Sequence, residues 1–397
     1  MKRELFYALN LMLCTALALC LVSVNAREVR AGGVKYTEGD KWLEIGGRIQ
    51  VQYHKVDPDS GDSTDEMFFR RLRPYIEGST HPDWMGKFQF DYGKAEDGNE
   101  VAVKDAYLAY RGMANMTVKV GNALTPFSRE TLTSSKRQQL VERTFVGDHN
   151  YGSPDRNLGA HFSGNAMKKK FGWAATVAQA SIDPDTDKLD FDTPVNRNSD
   201  FNDGWIFGGR ADFHPFGYLK MAQGDFKKDL KATFSLAAFT WSNDSDNNTY
   251  IDETTGLTNN PGDDQQDVDS VTGFEISGAF RYMGISVDAQ YNMFDAELVD
   301  ETLTSGIYEN GETDLENWAV EGGYMLPNNM VEFVAGYQVQ DADGYAEKWT
   351  RTSVGANYFF TRNHDIKLQA TYRMGENKDG IDGEDEDEVF VQMQYVF

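Results

Sequence analysis

The stretch that decides the fold is LEIGGRIQVQYH, residues 43–54, because its side chains alternate between apolar and polar. The apolar positions share one side of an extended chain: Leu43, Ile45, Ile49, Val51 and Tyr53. The polar positions between them share the other side: Glu44, Arg48, Gln50, Gln52 and His54. Successive side chains of a β-strand point to opposite faces, so this period of two predicts a strand with one apolar and one polar face. The final segment EVFVQMQYVF, residues 388–397, repeats the pattern.

The same alternation recurs along the chain in sixteen segments, each long enough to cross a membrane as a tilted strand. These candidate strands lie near residues 42–55, 67–79, 85–93, 102–111, 115–122, 156–164, 170–180, 204–214, 229–241, 271–283, 284–295, 315–326, 330–340, 350–360, 365–375 and 388–397. Short turns such as NAMKKK and PNNM alternate with long polar loops at 181–203, 242–270 and 296–314. Short turns on one rim and long loops on the other are typical of outer-membrane barrels.

The N-terminus has the features of a secretory signal peptide. Lys2 and Arg3 precede an apolar run, and Val24-Asn25-Ala26 predicts cleavage after residue 26. A retained membrane anchor is the alternative, which the shortness of the run disfavours. Cleavage would remove Cys14 and Cys20, so the mature chain would lack the thiols needed for disulfides, metal thiolates and cysteine nucleophiles. We therefore expect a signal peptide at 1–26, a short periplasmic segment at 27–41 and a barrel at 42–397.

The composition narrows the class of protein further. A formal net charge of −25 argues against a nucleic-acid partner, which needs a basic footprint. The mean hydropathy of −0.56 and the lack of a second long apolar run exclude a helical membrane protein. A soluble β-sandwich would also alternate, but export, the absence of cysteine and a C-terminal Phe397 favour a barrel. Aromatic residues at strand ends predict an interfacial girdle: Trp42, Tyr53, Trp205, Trp241, Trp318 and Trp349. The predicted fold is an all-β, sixteen-stranded antiparallel transmembrane barrel.

Lipid around the apolar face would leave the polar face lining the lumen. The inward positions carry eleven basic residues: Arg48, Arg71, Arg73, Lys87, Lys119, Arg210, Lys231, Arg281, Arg351, Lys367 and Arg373. They carry nine acidic residues: Glu44, Glu77, Asp91, Asp105, Asp212, Glu275, Asp288, Glu321 and Glu332. This near balance predicts that the acidic excess lies in external loops such as 242–270 and 376–388. Those loops are interpreted as solvated surface, with divalent-cation binding that ties them to lipopolysaccharide as the alternative.

One long segment interrupts the period of two and resembles a known family. Residues 120–143 read VGNALTPFSRETLTSSKRQQLVER, which is similar to the signature of the phosphate-selective porin O and P family. The shared features are Gly121, Pro126-Phe127, Thr133-Ser134-Ser135 and Glu142-Arg143. The resemblance implies a trimeric sixteen-stranded barrel whose loop after the fifth strand, 122–155, folds into the lumen and narrows it. It also implies selectivity for anions or phosphate. The chain departs from the family pattern at Gly336, where the similar strand is expected to carry a basic residue.

The predicted pore-lining and anion-binding residues come from the wall and from this loop. The wall contributes Arg48, Arg71, Arg73, Lys87 and Lys119, and the loop contributes Arg129, Lys136, Arg137 and Arg143. Arg71 and Arg73 are two steps apart on one strand, about 7 Å, and guanidinium forks suit oxyanions. The alternative is that these two arginines pair with wall carboxylates such as Glu77.

The sequence thus predicts an outer-membrane porin of a Gram-negative bacterium for passive diffusion of small hydrophilic solutes. We expect it to prefer small anions such as phosphate, to contact outer-membrane lipid and lipopolysaccharide, and to need no metal or cofactor. No HExxH, G-x-S-x-G or P-loop pattern predicts an enzyme. The alternatives are a general or cation-tolerant porin, and a surface structural or adhesion barrel whose acidic loops bind cations. A hydrolase using Ser63, Ser134 or Ser135 is a further alternative.

Overall fold

A computed structural model describes residues 33–93, 101–183, 185–192, 202–244, 250–251, 258–259 and 268–397. The predicted signal peptide lies outside the described residues, as does most of the acidic loop 242–270. All sixteen predicted strands are present, and they form one closed antiparallel barrel. None of the helices in the described ranges is long and apolar enough to span a bilayer.

We number the barrel strands in chain order. The first eight are β1 Lys41–Pro58, β2 Thr64–His81, β3 Trp84–Asp91, β4 Ala102–Tyr110, β5 Met116–Leu124, β6 Arg156–Ala166, β7 Phe171–Ile182 and β8 Asp203–Phe213. The second eight are β9 Lys231–Asn243, β10 Val268–Tyr282, β11 Ile285–Leu298, β12 Glu312–Met325, β13 Val331–Asp341, β14 Trp349–Phe359, β15 Ile366–Glu376 and β16 Glu386–Val396. Each strand pairs with its neighbours in sequence, so the barrel is a simple meander.

The first and last strands close the barrel. Gln50 of β1 lies opposite Gln394 of β16, and the Gly47 amide donates to the Phe397 carbonyl over 2.8 Å. Closure gives every edge strand a partner, which a sheet surrounded by lipid requires. A short strand, Val34–Glu38, pairs with the beginning of β1 and lies in the segment that we assign to the periplasm.

The two faces of the wall differ as the alternation predicts. In β9 the outward Phe234 and Leu236 are 62% and 53% exposed, whereas the inward Ser235 is buried. All twenty charged positions predicted to face the lumen are buried or half-buried. Apolar side chains therefore cover the outside of the barrel and polar ones line the inside, the reverse of a soluble protein.

The prediction of an interfacial girdle is wrong for two of its tryptophans. Trp205 is 51% exposed on the outer surface, but Trp241 and Trp349 are buried inside the barrel. The Trp241 ring packs against Phe191, and the Trp349 ring packs against Phe145. Both face inward because loops fill part of the lumen and create an apolar interior there.

The acidic run 376–388 is also not wholly external. Glu386–Glu388 belongs to β16, and the carboxylate of Glu388 faces inward. It lies 3.2 Å from Arg373 and 3.0 Å from His54. The last strand begins two residues earlier than the alternation alone indicates, which turns this carboxylate into part of the wall.

Two connections enter the lumen from opposite rims. Residues 125–155, between β5 and β6, form the constriction loop, which contains helix α1, Arg129–Leu132, and a 3-10 turn at Ser135–Arg137. Ser128 caps α1 by accepting a hydrogen bond from the Thr131 amide. Residues 214–230, between β8 and β9, enter from the rim of short turns. The inward-folded loop predicted after the fifth strand is thus confirmed.

Candidate functional site

The constriction loop is anchored along one side by buried polar contacts with the wall. The Gln139 side-chain amide donates to Ser286 of β11 over 2.7 Å and to Glu332 of β13 over 2.8 Å. The Gln139 carbonyl accepts from Asn357 of β14 and Gln369 of β15 over 2.9 and 3.0 Å. A buried amide that lost these partners would carry a desolvation cost, so the contacts hold the loop against β11–β15.

Apolar packing completes the anchor. Phe127 lies within 4.9 Å, ring centre to centre, of Phe239 and within 5.7 Å of Phe294. These rings belong to a buried cluster that also includes Trp241 and Leu315. The cluster fills the β7–β12 side of the lumen. The space that remains therefore lies between the loop and strands β1–β6.

That space is a cavity of about 590 Å³ with a mainly basic lining. Its basic residues are Arg48, Arg70, Arg71, Arg73, Lys87, Lys104, Lys136, Arg137, Arg143 and Arg156. Its acidic residues are Glu77, Asp91, Asp105, Asp148 and Asp155. We call this cavity the basic opening. Seven of the nine predicted site residues surround it: Arg48, Arg71, Arg73, Lys87, Lys136, Arg137 and Arg143.

The other two predicted site residues lie elsewhere. Arg129 is on the anchored face of the loop, where its guanidinium is 3.2 Å from Asp288 and its side chain is 2% exposed. Lys119 faces a second cavity of about 300 Å³ between the loop and β5–β8. Its ammonium lies 4.6 Å from the centre of the Tyr107 ring. The structure does not bring Arg129 and Lys119 to the basic opening.

Two β-bulges bring cations to the opening that strict alternation would place outside. Between β1 and β2, Gln50 pairs with Arg71 and Val51 with Phe69, so Arg70 is an extra residue. Between β3 and β4 a similar irregularity lets both Lys104 and Asp105 face the lumen. A bulge shifts the face of the residues beside it. One signal for the first bulge is visible in the sequence, because three of the four residues at 70–73 are basic.

Many of the charges around the opening neutralise each other. Arg70 binds Glu142 through two hydrogen bonds of 2.6 and 2.9 Å. Arg73 pairs with Asp91, not with the Glu77 that the sequence offered as an alternative. Three further cations pair with aspartates: Lys87 and Arg156 with Asp105, and Lys104 with Asp155. These residues build a charged but nearly neutral frame.

Five cations at the opening stand outside this frame. Among the described residues, no carboxylate forms an ion pair with any of them: Arg48, Arg71, Lys136, Arg137 and Arg143. Arg143 donates to the Thr131 and Thr133 carbonyls over 3.1 and 3.3 Å. Arg48 donates to the Ser134 hydroxyl over 3.3 Å and Arg71 to the Gln50 side chain over 3.2 Å. Both partners are neutral. The opening therefore carries an excess of positive charge that its own wall does not cancel.

Three other lumen acids lie on the anchored side of the loop. Glu275 accepts from the Arg129 amide over 3.0 Å and from Arg210 over 2.6 Å. Glu332 binds the Gln139 and Asn357 side chains, and Glu321 binds Gln223. These carboxylates act as anchors for the loop. The near balance of lumen charges counted from the sequence thus reflects charges that are separated in space. The acids that anchor the loop lie beneath it, and the cations without an ion pair lie beside it.

Ionisation of the loop reflects this environment. Burial, reinforced by the neighbouring Arg137 and Arg48, lowers the pKa of Lys136 to about 8. Burial raises the pKa of Glu130 to about 7 on the anchored face. Burial also opposes ionisation of Glu142, but the adjacent Arg70 and Arg71 hold the pKa of that carboxyl below its usual range. The loop therefore keeps Glu142 charged and holds Lys136 close to losing its proton.

Small residues on the wall make room for the loop. A Cβ atom placed on Gly336 of β13 would lie 3.1 Å from Leu140 Cδ1. On Gly323 of β12 it would lie 2.2 Å from the Gln139 side chain. The departure from the family pattern at Gly336 thus has a physical reason, since a long basic side chain there would occupy the space of Leu140.

Comparison with known proteins identifies the class. The sequence profile described as "Phosphate-selective porin O and P" matches residues 43–397. The chain belongs to this family. The porin is also 23% identical to an uncharacterised protein of Aquifex aeolicus (strain VF5), over 94% of this chain and 91% of that protein. Family and barrel together place it in the outer membrane.

Solved structures share the fold of this porin at low sequence identity. An anion-selective porin from Comamonas acidovorans is 13% identical and has a TM-score of 0.57, covering 90% of this chain and 100% of its own. The trimer form of OmpT, an outer-membrane protein of Vibrio cholerae, is 12% identical with a TM-score of 0.53. That alignment covers 89% of this chain and 99% of the OmpT chain. Similarity at this level supports the barrel architecture and nothing finer.

Proposed function

We propose that this porin passes small hydrophilic anions in preference to cations, and that phosphate is among the anions it admits. The observation that carries the proposal is the group of five cations at the basic opening that form no ion pair with a described carboxylate: Arg48, Arg71, Lys136, Arg137 and Arg143. An ion must pass them where the constriction loop narrows the lumen. Charges at the narrowest section select the sign of the ion.

The size of the effect follows from Coulomb's law. A single charge about 8 Å from an ion contributes about 0.5 kcal/mol even in a dielectric like that of water. That energy favours the anion and disfavours the cation, so one arginine changes the ratio of their permeabilities about two- to six-fold. Five such cations outweigh the acids of the external loops, because those acids are farther from the ion and screened by salt.

The groups at the opening also suit an oxyanion. The guanidinium groups of Arg48 and Arg71 present planar forks of donors, which match phosphate better than a spherical ion. The Ser134 hydroxyl lies beside Arg48, and Ser135 also lines the cavity. These neutral donors would add hydrogen bonds that chloride uses less well. They support phosphate as a candidate solute.

The reversal potential across a planar bilayer under a KCl gradient tests the proposal. The reversal potential of the wild-type porin should lie closer to the equilibrium potential of chloride than to that of potassium. Arg71→Gln should lower the chloride-to-potassium permeability ratio about two- to six-fold. Arg111→Gln, which removes an exposed charge outside the opening, is the matched control and should change the ratio much less. A wild-type channel that prefers potassium would overturn the anion proposal.

Competition between anions tests the phosphate part separately. Phosphate added to KCl should reduce the single-channel chloride current at concentrations where sulfate reduces it less. Arg48→Gln should weaken that block. Equal effects of phosphate and sulfate in both proteins would restrict the proposal to general anion preference.

We also propose that the porin forms a homotrimer through the outer face of β2–β5. Strands β3, β4 and β5 have eight, nine and nine residues, at or just below the lower limit of about nine for a strand that crosses a bilayer. Their outer face has a shallow recess of about 470 Å³ around Gly78, Gly86 and Ala106, bordered by the exposed Leu108 and Val120. Contact with a second copy would cover short strands that lipid covers poorly, and OmpT has a trimer form.

The mass of the purified porin in detergent, measured by light scattering, tests the trimer. Leu108→Arg should convert trimers into monomers, whereas Phe234→Arg on β9, outside the proposed interface, should not. We further propose that the remaining outer surface contacts outer-membrane lipid and that the external loops contact lipopolysaccharide. A wild-type monomer would exclude the trimer.

A further inference from the structure

The connection between β8 and β9 is unusual for its rim. The other connections there contain two to six residues, whereas residues 214–230 form a connection of seventeen. This segment, which we call the inner turn, does not project from the barrel. Its central part enters the lumen and meets the constriction loop from the opposite side.

Gln223 is the point of contact. It is 3% exposed, its amide donates to the Arg137 carbonyl over 3.0 Å, and its side chain accepts from the Gln139 amide over 2.6 Å. Its side-chain amide also donates to Glu321 of β12. Its carbonyl lies 3.0 Å from a ring nitrogen of His364. The inner turn is thus fixed to the loop, to the wall and to the β14–β15 turn at once.

The residues just before Gln223 extend beneath the loop. The Arg129 guanidinium contacts Met221 Sδ at 3.2 Å, and Arg281 donates to the Ala222 carbonyl over 2.8 Å. Tyr218, Leu219 and Met221 line the second cavity, between the loop and β5–β8. The inner turn therefore narrows the lumen on the side of the loop that leads to the short-turn rim.

Lys220 is the exposed cation in this part of the inner turn. It lies between Leu219 and Met221 in sequence, and its charge interacts with those of Arg137, Lys227 and Asp365. Partial burial, followed by repulsion from Arg137 and Lys227, lowers the pKa of Lys220, while the Asp365 carboxylate opposes that change. The inner turn thus presents an exposed cation between two residues that line the second cavity.

We infer that the inner turn is a second narrowing element of the pore and that Lys220 is a further residue that determines its charge selectivity. An anion that leaves Arg137 would meet Lys220 next, before it reaches the rim of short turns. The role of Lys220 in anion passage rests on the proposed anion preference. The location of Lys220 on the ion path is independent of that preference, because a cation on the path would hinder cation flow in any porin.

Charge removal at Lys220 tests the inference. Lys220→Gln should lower the chloride-to-potassium permeability ratio about two-fold. Lys170→Gln removes an exposed lysine from the β6–β7 turn on the same rim and is the matched control, with a smaller expected change. Lys220→Arg should keep the wild-type ratio. A change in Lys220→Gln no larger than that in Lys170→Gln would overturn the inference.

Chemical modification provides a second test that does not depend on the loss of a side chain. Both cysteines lie at positions 14 and 20, so the chain from residue 27 onward can carry a single new thiol. Lys220→Cys in that chain should react with thiosulfonate reagents during recording. A sulfonate-bearing reagent should lower the permeability ratio further, and an ammonium-bearing reagent should restore it. Unchanged currents after labelling, verified by mass, would place residue 220 off the path.

The two proposals fail in different ways. If Arg71→Gln lowers the ratio and Lys220→Gln does not, only the role of the inner turn is lost. If the wild-type porin prefers potassium but Lys220→Gln and both labels still shift the ratio in the stated directions, the inner turn is supported and the anion preference is not.

Discussion

At the scale of single residues, an extra position in a strand decides which charges reach the pore. Arg70 and Lys104 face inward because a bulge interrupts the pairing of β2 and of β4. Arg70 then binds Glu142 and helps to hold the constriction loop, while Arg71 beside it keeps a neutral partner. Adjacent arginines thus have different roles, one structural and one at the opening.

Lys136 gives the basic opening a dependence on pH. Its pKa is lowered to about 8 from an ordinary value near 10.5, so its ammonium is charged below pH 8 and neutral above it. The chloride-to-potassium permeability ratio should therefore fall as the pH rises from 6.5 to 9.5. Reversal potentials measured across this range test the expectation.

Lys136→Arg is the control for this pH dependence, because an arginine stays charged throughout the range. His149 also lines the opening and has its pKa raised to about 9: burial alone would lower that pKa, but Asp190 raises it. Lys136→Arg removes only the titration of residue 136, so it separates the pH dependence caused by Lys136 from that caused by His149. A variant that retains the full wild-type pH dependence would assign the transition to His149 instead.

At the scale of elements, the constriction loop depends on a wall that leaves room for it. Gly323 and Gly336 lie opposite Gln139 and Leu140, and the amide side chains of β14 and β15 bind the carbonyl of Gln139. The sequence pattern identified the loop by its broken period and by its resemblance to a family. It could not identify these wall partners, because they are more than 140 residues distant in the chain.

Gly336→Leu should displace the constriction loop. The new side chain would compete with Leu140 for one space, and overpacking of this kind costs about 1–3 kcal/mol. We expect a changed single-channel conductance with more current noise, measured in planar bilayers. Gly278→Leu is the matched control, because Gly278 faces outward from β10. Identical conductance in Gly336→Leu and the wild-type porin would contradict this account of the packing.

At the scale of the whole molecule, the charges are separated into three regions. Acidic residues dominate the external loop at 376–385, carboxylates beneath the constriction loop anchor it, and cations without carboxylate partners lie at the opening. The lumen charges counted along the sequence are nearly balanced because that count adds the second and third regions together. Net charge therefore says little about which ion this porin selects.

Ionic strength should control the selectivity of the porin. The Debye length falls from about 10 Å at 0.1 M to about 3 Å at 1 M, so salt screens the cations of the opening from a passing ion. The chloride-to-potassium permeability ratio should be largest in dilute KCl and approach the ratio in free solution at 1 M. Reversal potentials at several mean concentrations measure this. A ratio independent of salt would point to selection by size.

The sequence by itself determined the barrel. Residues 43–54 and the fifteen segments that repeat their pattern specify strands with one lipid face, since a shift of one residue would expose polar groups to lipid. The break in that pattern at 124–143 marked the constriction loop in the same way. Only the tertiary structure decided which cations line the basic opening. Arg129 turns to Asp288, Arg70 enters through a bulge, and the inner turn brings Lys220 near Arg137. These outcomes depend on contacts between distant segments, and a local alternation of side chains carries no record of such contacts.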